Sequence, residues 1–339
     1  MQVFVDAPAF NVYGFEFRIE SEATGPREAL ASDFAFFRAP QTTAPAVIEI
    51  FDRDADYGNV PRSPATIYTP RNVAYRAGQL TYLDYGGRAL GIHDRASGGF
   101  RLYTPDPDLQ YEAVYLFLLS RIAEFLDQRG LHRVHALAVS LHGRAILVLL
   151  PMGGGKSTLG ARLLRHAEVK FLSDDSPFID RKGRVHAFPL RLGLTPEAAA
   201  EIPPHQRRTI RRMEFGPKIS VQYDYYAAQV IPFAEPGIVF LGERSLAADC
   251  RIAAAGFGAG MRAMMANCVV GLGLFQGMEF VFRSSPWEIA AKAGTAFSRM
   301  RNSAALLRRS AVHRLVLGRD HDRNAETVLE FAERTLGGR

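Results

Sequence analysis

The sequence predicts an α/β core preceded by a β-rich N-terminal domain, and three observations lead there. Residues 145–150 (Ala-Ile-Leu-Val-Leu-Leu) form an uninterrupted apolar run, the pattern of a strand buried on both faces in the middle of an α/β sheet. A glycine loop follows at once, Pro151-Met152-Gly153-Gly154-Gly155-Lys156-Ser157-Thr158, and leads into a helical stretch. Upstream, short runs at 13–19, 46–51 and 79–83 alternate or carry aromatic and β-branched residues, punctuated by Gly, Pro and Asp.

The chain has 339 residues and 47% hydrophobic content, which suits one large or two modest domains without metal or disulfide staples. The expected division is 1–108 for the β-rich domain and 109–339 for the core. Residues 104–108 (Thr-Pro-Asp-Pro-Asp) read as a turn and a helix start. From Leu109 to Arg129 apolar residues recur at helical spacing, and Gly130 stops the helix. Asp52, Asp54, Asp56 and His93 read as loop residues. A one-sided helix carrying Arg207-Arg208 and Arg211-Arg212 is expected, either as a solvated face or as a dock for an acidic peptide or phosphate-rich partner.

Within the core, strands are expected at 136–141 and 145–150, joined by the turn His142-Gly143-Arg144. A helix over 156–166 follows, then a strand at 169–172 that ends on Ser173-Asp174-Asp175. A hairpin over 177–188, strands at 237–241 and 313–317, and a helix at 324–335 complete the core. Tyr223, Tyr225 and Tyr226, with Asp224, read as core by default, with a strand edge or a peptide-contact surface as the alternatives. Phe215-Gly216-Pro217-Lys218 reads as a turn into a strand, with Lys218 either a surface lysine or a phosphate contact.

Bulk properties exclude several classes. Cys250 and Cys268 form no framework and no CxxC, so free thiols in a reducing, cytoplasmic setting are expected. The N-terminus lacks a basic patch followed by an apolar run. Residues 263–282 are apolar, but Glu279, the flanking Arg262 and Arg283 and the glycines favour a buried helix running into a strand over a membrane span. Net charge is +6, yet no zinc-finger, RRM-like or KH-like pattern accompanies it, so nucleic acid is not an expected partner.

The glycine loop carries the chemistry. A polyphosphate needs backbone N–H groups converging at a helix N-terminus with no side chain in the way, and a cation within reach. Gly153, Gly154 and Gly155 allow the approach, Lys156 supplies the cation, Ser157 is the expected Mg²⁺ ligand and Thr158 adjoins it. ATP and Mg²⁺ are therefore the expected cofactors. The usual pattern is GxxxxGK[ST], and Leu150 stands where its first glycine belongs. Asp174 and Asp175 end a neighbouring strand, where an open α/β sheet places its ligands. One carboxylate can order metal-bound water and the other can accept a hydroxyl proton, with the assignment between them left open.

Together His135-Ala136-Leu137-Ala138-Val139, the loop and Leu172-Ser173-Asp174-Asp175 resemble the catalytic domain of the HPr kinase/phosphorylase family. The chain is most similar to its divergent HPr-kinase-like members, some of which phosphorylate peptides in lasso-peptide and related natural-product clusters. His135 precedes Lys156 by the family's interval, Gly143 matches a family glycine, and Asp175 falls one residue beyond the family's spacing. The resemblance covers roughly residues 130–192. It implies a P-loop kinase core of the HPr kinase type, a mixed sheet flanked by helices. It further implies phosphate binding by Lys156, metal binding by Ser157 and a base at Asp175 with His135 beside it.

Departures are specific: Leu150 replaces the opening glycine, Ala136 replaces a glycine, and no acid precedes Arg191-Leu192-Gly193, leaving Asp174 as the alternative second metal ligand. No counterpart of the arginine-bearing dephosphorylation motif is found. The expectation is a one-way kinase acting on a hydroxyl, a serine of a peptide or small protein, with a natural-product precursor peptide in view. The N-terminal domain, Arg191, Arg207, Arg208, Arg211, Arg212 and Lys218 are the candidate substrate contacts, and self-association is left open. A small-metabolite kinase and a non-catalytic ATP-binding module are the alternatives.

Overall fold

In the computed structural model, residues 7–40, 45–211, 213, 216–269 and 286–337 are described. Among them, one compact unit holds the residues up to Phe125 with Thr209–Lys218; the other holds Leu126–Arg208 and the described residues from Ile219 onward. This division falls inside a helix, downstream of the 108/109 junction expected from composition.

The first unit is built on a nine-stranded sheet. Its strands are β1 (Ala9–Val12), β2 (Phe15–Ser21), β3 (Arg38–Ala39), β4 (Ala46–Phe51), β5 (Ala65–Tyr68), β6 (Val73–Ala77), β7 (Leu80–Asp84), β8 (Leu90–Asp94) and β9 (Phe100–Tyr103), ordered β3-β1-β2-β4-β9-β8-β7-β6-β5. β2, β4 and β9 pair in parallel and the rest antiparallel. Alternation explains β4: Ile48 and Ile50 are buried while Val47 and Glu49 are half-buried. Helix α1 (Thr24–Asp33) lies between β2 and β3, and its Pro26 is tolerated because it lies in the first turn. His93, expected in a loop, instead lies in β8, buried with its ring edge-on to Phe117. The core gathers aromatic rings, among them Phe10 stacked on Phe17 and Phe100 on Phe117. Helix α2 (Pro107–Gln128) ends just before Gly130, whose φ of +73° suits a residue without a Cβ.

The second unit is mixed α/β, with a large mixed sheet flanked by helices. Its elements in order are β10 (His132–Arg133), β11 (Leu137–Leu141), β12 (Arg144–Leu149), α3 (Lys156–Leu163), β13 (Lys170–Ser173), β14 (Phe178–Ile179) and β15 (Val185–His186). Then come β16 (Leu192–Leu194), β17 (Arg207–Ile210) and β18 (Lys218–Val221), the last two each divided between the units, followed by β19 (Phe233–Arg244), β20 (Arg251–Ala254), α4 (Phe257–Met264), α5 (Pro286–Arg308), β21 (Ala311–Leu317) and α6 (His321–Leu336). The large sheet runs β10-β14-β15-β19-β12-β11-β13, with β21 also on β19 and β20 on β21. β12 and β11 form a hairpin whose two-residue turn has positive φ at both His142 (+51°) and Gly143 (+73°), the twist such turns need. Leu137, Val148, Leu159, Phe171, Phe240 and Val328 share one buried cluster that ties α3 and α6 to the sheet.

Several expectations change here. Arg207 to Ile210 is a strand, so Arg207 and Arg208 do not share a helical face; alternate residues of a strand point to opposite sides. Arg207 is tied to its own unit, Nη1 donating to the Ala199 carbonyl at 2.6 Å. Arg211 is exposed, 3.7 Å from Asp108, while Arg212 and Phe215 lie outside the described residues. Tyr223–Tyr225 is a 3₁₀ turn and no strand edge, with Tyr226 behind it packed on Phe171 in the core. Of the apolar stretch 263–282, a π-helical turn at Met265–Val269 continues α4, and 270–282 lies outside the described residues. Among the described residues no helix is long and apolar enough to cross a membrane. Cys250 and Cys268 are free thiols, pushed up by burial to about 11 and about 12.

Candidate functional site

Strand direction brings the site together. β11 is antiparallel to both β12 and β13, with Leu137 opposite Val148 and Ala138 opposite Ser173. The start of β11 therefore lies beside the carboxyl ends of β12 and β13, where the glycine loop and Asp174-Asp175 emerge. His135, just before β11, is fixed by its N–H donating to the Asn267 carbonyl at 2.9 Å.

The loop folds as its glycines demand. Gly153 and Gly155 have φ of +75° and +97°, the left-handed region that L side chains rarely enter, and Gly155 caps α3. Lys156, Ser157 and Thr158 then form the first turn of α3, whose free N–H groups make a helix start receptive to anions.

Two clusters of polar contacts sit at this turn. In the first, the buried Lys156 ammonium donates to the Leu150 carbonyl at 2.7 Å and the Pro151 carbonyl at 3.3 Å. It lies 2.9 Å from His135 Nε2 and 3.6 Å from Asp175 Oδ1, and His135 Nε2 is 3.1 Å from that same oxygen. A single imidazole nitrogen cannot both accept from the ammonium and donate to the carboxylate. Nε2 therefore either accepts a hydrogen bond from the Lys156 ammonium or, as N–H, donates one to Asp175. In the second cluster, Asp174 Oδ2 accepts from the Ser157 hydroxyl at 2.8 Å and the Gly193 N–H at 3.3 Å. The adjacent carboxylates thus have different surroundings: Asp174 is 6% exposed, whereas the Asp175 side chain is 56% exposed.

Leu150, the departure from the usual loop, is buried and leans on β19. A Cβ placed on Gly242 would lie 2.4 Å from Leu150 Cγ and 2.7 Å from Cδ2. Gly242 vacates the room that the leucine side chain fills, so the opening residue of the loop tolerates a large side chain.

Of the remaining candidates, Arg191 immediately precedes β16, whose Gly193 reaches Asp174, and Lys218 opens β18. Arg207 and Arg211 are engaged by Ala199 and Asp108. Sequence reasoning missed Gly193, Gly242 and Arg244. Arg244 ends β19, and its Nη1 would be 3.5 Å from a Cβ on Gly155. Gly193 lies in the Arg191-Leu192-Gly193 segment compared with a family stretch, but no role was given to it; for the other two the signal was that Gly242-Glu243-Arg244 terminates an apolar strand.

Compared with known proteins, the chain matches no family model and no curated protein at a significant level.

Proposed function

We propose that this chain is an ATP- and Mg²⁺-dependent kinase with a P-loop core of the HPr kinase type, transferring the γ-phosphoryl group to a hydroxyl, a serine of a peptide or small protein. The observation that carries this reading is the split environment of the acidic pair at one loop: Asp174 is bonded to Ser157, and Asp175 joins His135 and Lys156. Ser157 and Asp174 offer hard oxygens 2.8 Å apart, and among the described residues no cluster of three or more His, Cys, Asp or Glu side chains could hold a metal. Mg²⁺ suits such a donor set, since it takes one or two carboxylates and completes its shell with water and phosphate oxygens. When bound, it neutralises charge on the β- and γ-phosphates.

The protein's own groups then have distinct tasks. The α3 N-terminus and Lys156 hold the phosphates, the ammonium exchanging the Leu150 and Pro151 carbonyls for phosphate oxygens. Asp175, exposed enough to meet an acceptor, takes the hydroxyl proton as the acceptor oxygen bonds to phosphorus and the bond to ADP breaks. His135, hydrogen-bonded to that carboxylate in its Nε2–H form, orients it. A natural-product precursor peptide is the acceptor class that the family resemblance favours.

A non-catalytic nucleotide-binding module is the second reading, favoured by the backbone carbonyls that hold the Lys156 ammonium. Incubation with ATP, Mg²⁺ and serine-containing peptides distinguishes the two. A phosphate-sized mass gain that disappears in Lys156→Ala and falls at least ~100-fold in rate in Asp175→Asn is expected. Full rate in Asp175→Asn removes Asp175 as base, and tight ATP binding with no turnover on any acceptor supports the module.

A further inference from the structure

The glycine loop has two flanks, and the groups assigned to phosphoryl transfer occupy only one. In the sheet, β11 and β13 lie to one side of β12 and β19 to the other. His135, Asp174 and Asp175 all come from the β11 and β13 side. On the other side β19 runs parallel to β12, with Leu241 opposite Leu149, so Gly242, Glu243 and Arg244 continue beside the loop after β12 has ended.

Arg244 is placed there by strand pairing on the β21 side. It pairs with Leu317 of β21, and its Nη1 reaches back over the first turn of α3, 3.5 Å from where a Cβ of Gly155 would stand. A Cβ there would make only ordinary van der Waals contact with it, so the guanidinium stands beside the loop backbone without crowding it. Among the described residues no carboxylate pairs with Arg244, and the neighbouring Glu243 is directed to Arg314 at 3.6 Å. An exposed arginine beside a helix N-terminus sits cation against positive helix end, a placement that repels unless an anion lies between them. Its planar fork matches phosphate oxygens in pairs.

The reacting end of a polyphosphate is fixed by Lys156 and Asp175 on the β11 side. A nucleotide laid across the loop from there leads its non-transferred end toward β19. We infer that Arg244 binds the α-phosphate of the nucleotide, clamping the donor from the side opposite the transfer chemistry. This rests on the proposed nucleotide-binding role of the loop and assigns the far end of that same site.

Calorimetric titration of the full chain with ATP and with ADP, each with Mg²⁺, tests it in wild type, Arg244→Ala and Arg244→Lys. The α-phosphate is common to both nucleotides, so Arg244→Ala is expected to lose roughly 10- to 100-fold in affinity for ATP and ADP alike. Arg244→Lys, which keeps the charge but not the fork, is expected to fall between. Because Arg244 is exposed, the thermal midpoint of the ligand-free variants should not move. Loss for ATP alone would put Arg244 at the transferred end and overturn the assignment. Unchanged affinity for both would overturn it as well, leaving the kinase reading intact. Failure of the wild type to bind either nucleotide would instead refute the nucleotide site itself, and the Arg244 assignment with it.

Discussion

Replacing Gly242 by Ala tests how the loop accommodates Leu150. On backbone grounds alone the change favours the protein, since glycine in a strand interior costs roughly 0.5–1 kcal/mol relative to alanine. Packing opposes it: the new methyl would stand 2.4 Å from Leu150 Cγ, 2.7 Å from Leu150 Cδ2 and 2.8 Å from the Leu149 carbonyl oxygen. Two of these neighbours belong to a side chain enclosed in the core and the third is backbone, so none can step aside freely. Overpacking of this kind costs about 1–3 kcal/mol, which outweighs the backbone gain and leaves a net loss of about 1 kcal/mol. Leu150→Ala removes the two side-chain clashes and leaves the third, at a cost of its own of about 2–5 kcal/mol for the emptied space. The two substitutions should therefore couple by about 1–2 kcal/mol, the double variant losing less than the sum. Urea unfolding, with hydrogen exchange followed at the Leu149 and Leu241 amides, measures both quantities. A neutral Gly242→Ala, or a cycle additive to within about 0.5 kcal/mol, would refute the reasoning.

Two further predictions concern buried titratable groups. Asp127 accepts from Arg299 Nε at 3.2 Å and lies 2.7 Å from His132 Nδ1. Burial alone would raise its pKa, but His132 and Arg299 together hold the carboxyl below its ordinary range. Asp127→Ala should cost about 1–3 kcal/mol in urea unfolding by removing the carboxylate that the half-buried Arg299 and His132 share, and Asp127→Asn less. In the wild type this contribution is present above the ordinary carboxylate range and is lost as pH falls through the depressed pKa. His93 has the opposite protonation logic: burial, aided by the Arg121 charge, pushes its imidazole down to about 4. The unfolded chain, with a histidine near its ordinary ~6.5, binds the extra proton between those values, so stability falls as pH drops from about 6.5 to about 4, by at most ~1.4 kcal/mol per pH unit. His93→Leu should flatten that stretch of the pH profile; an unchanged slope would move the titrating group elsewhere.

The loop, its two strands and the helix after it were legible because they are local: an apolar run, three glycines and a Lys-Ser pair signal one another within a short stretch. That Asp174 and Asp175 flank the loop was legible for the same reason. Their different surroundings were not, because only the fold brings the Gly193 N–H of β16 against Asp174. Helix α1 was not among the expected elements: Gly25 and Pro26 are poor helix formers, and only a first turn accepts both. The arginines at 207–212 were misread because pairs spaced by four suit a helix face, and nothing local reveals that β17 forms there. Leu150 looked like a defect in the loop until Gly242, far along the chain, supplied its compensation.

The antiparallel placement of β11 also works as a ruler. Neighbouring strands stand about 4.8 Å apart, so β12 and β13, with β11 between them, end roughly 10 Å from each other. That width is set by backbone pairing and would not change with the residues in the gap. The long side chains of His135 and Lys156 close it, drawing the lysine ammonium to 3.6 Å from Asp175. The space between the loop and the acidic pair is therefore tuned by the side chains that project into it, whereas its width belongs to the interposed strand and would be lost with that strand.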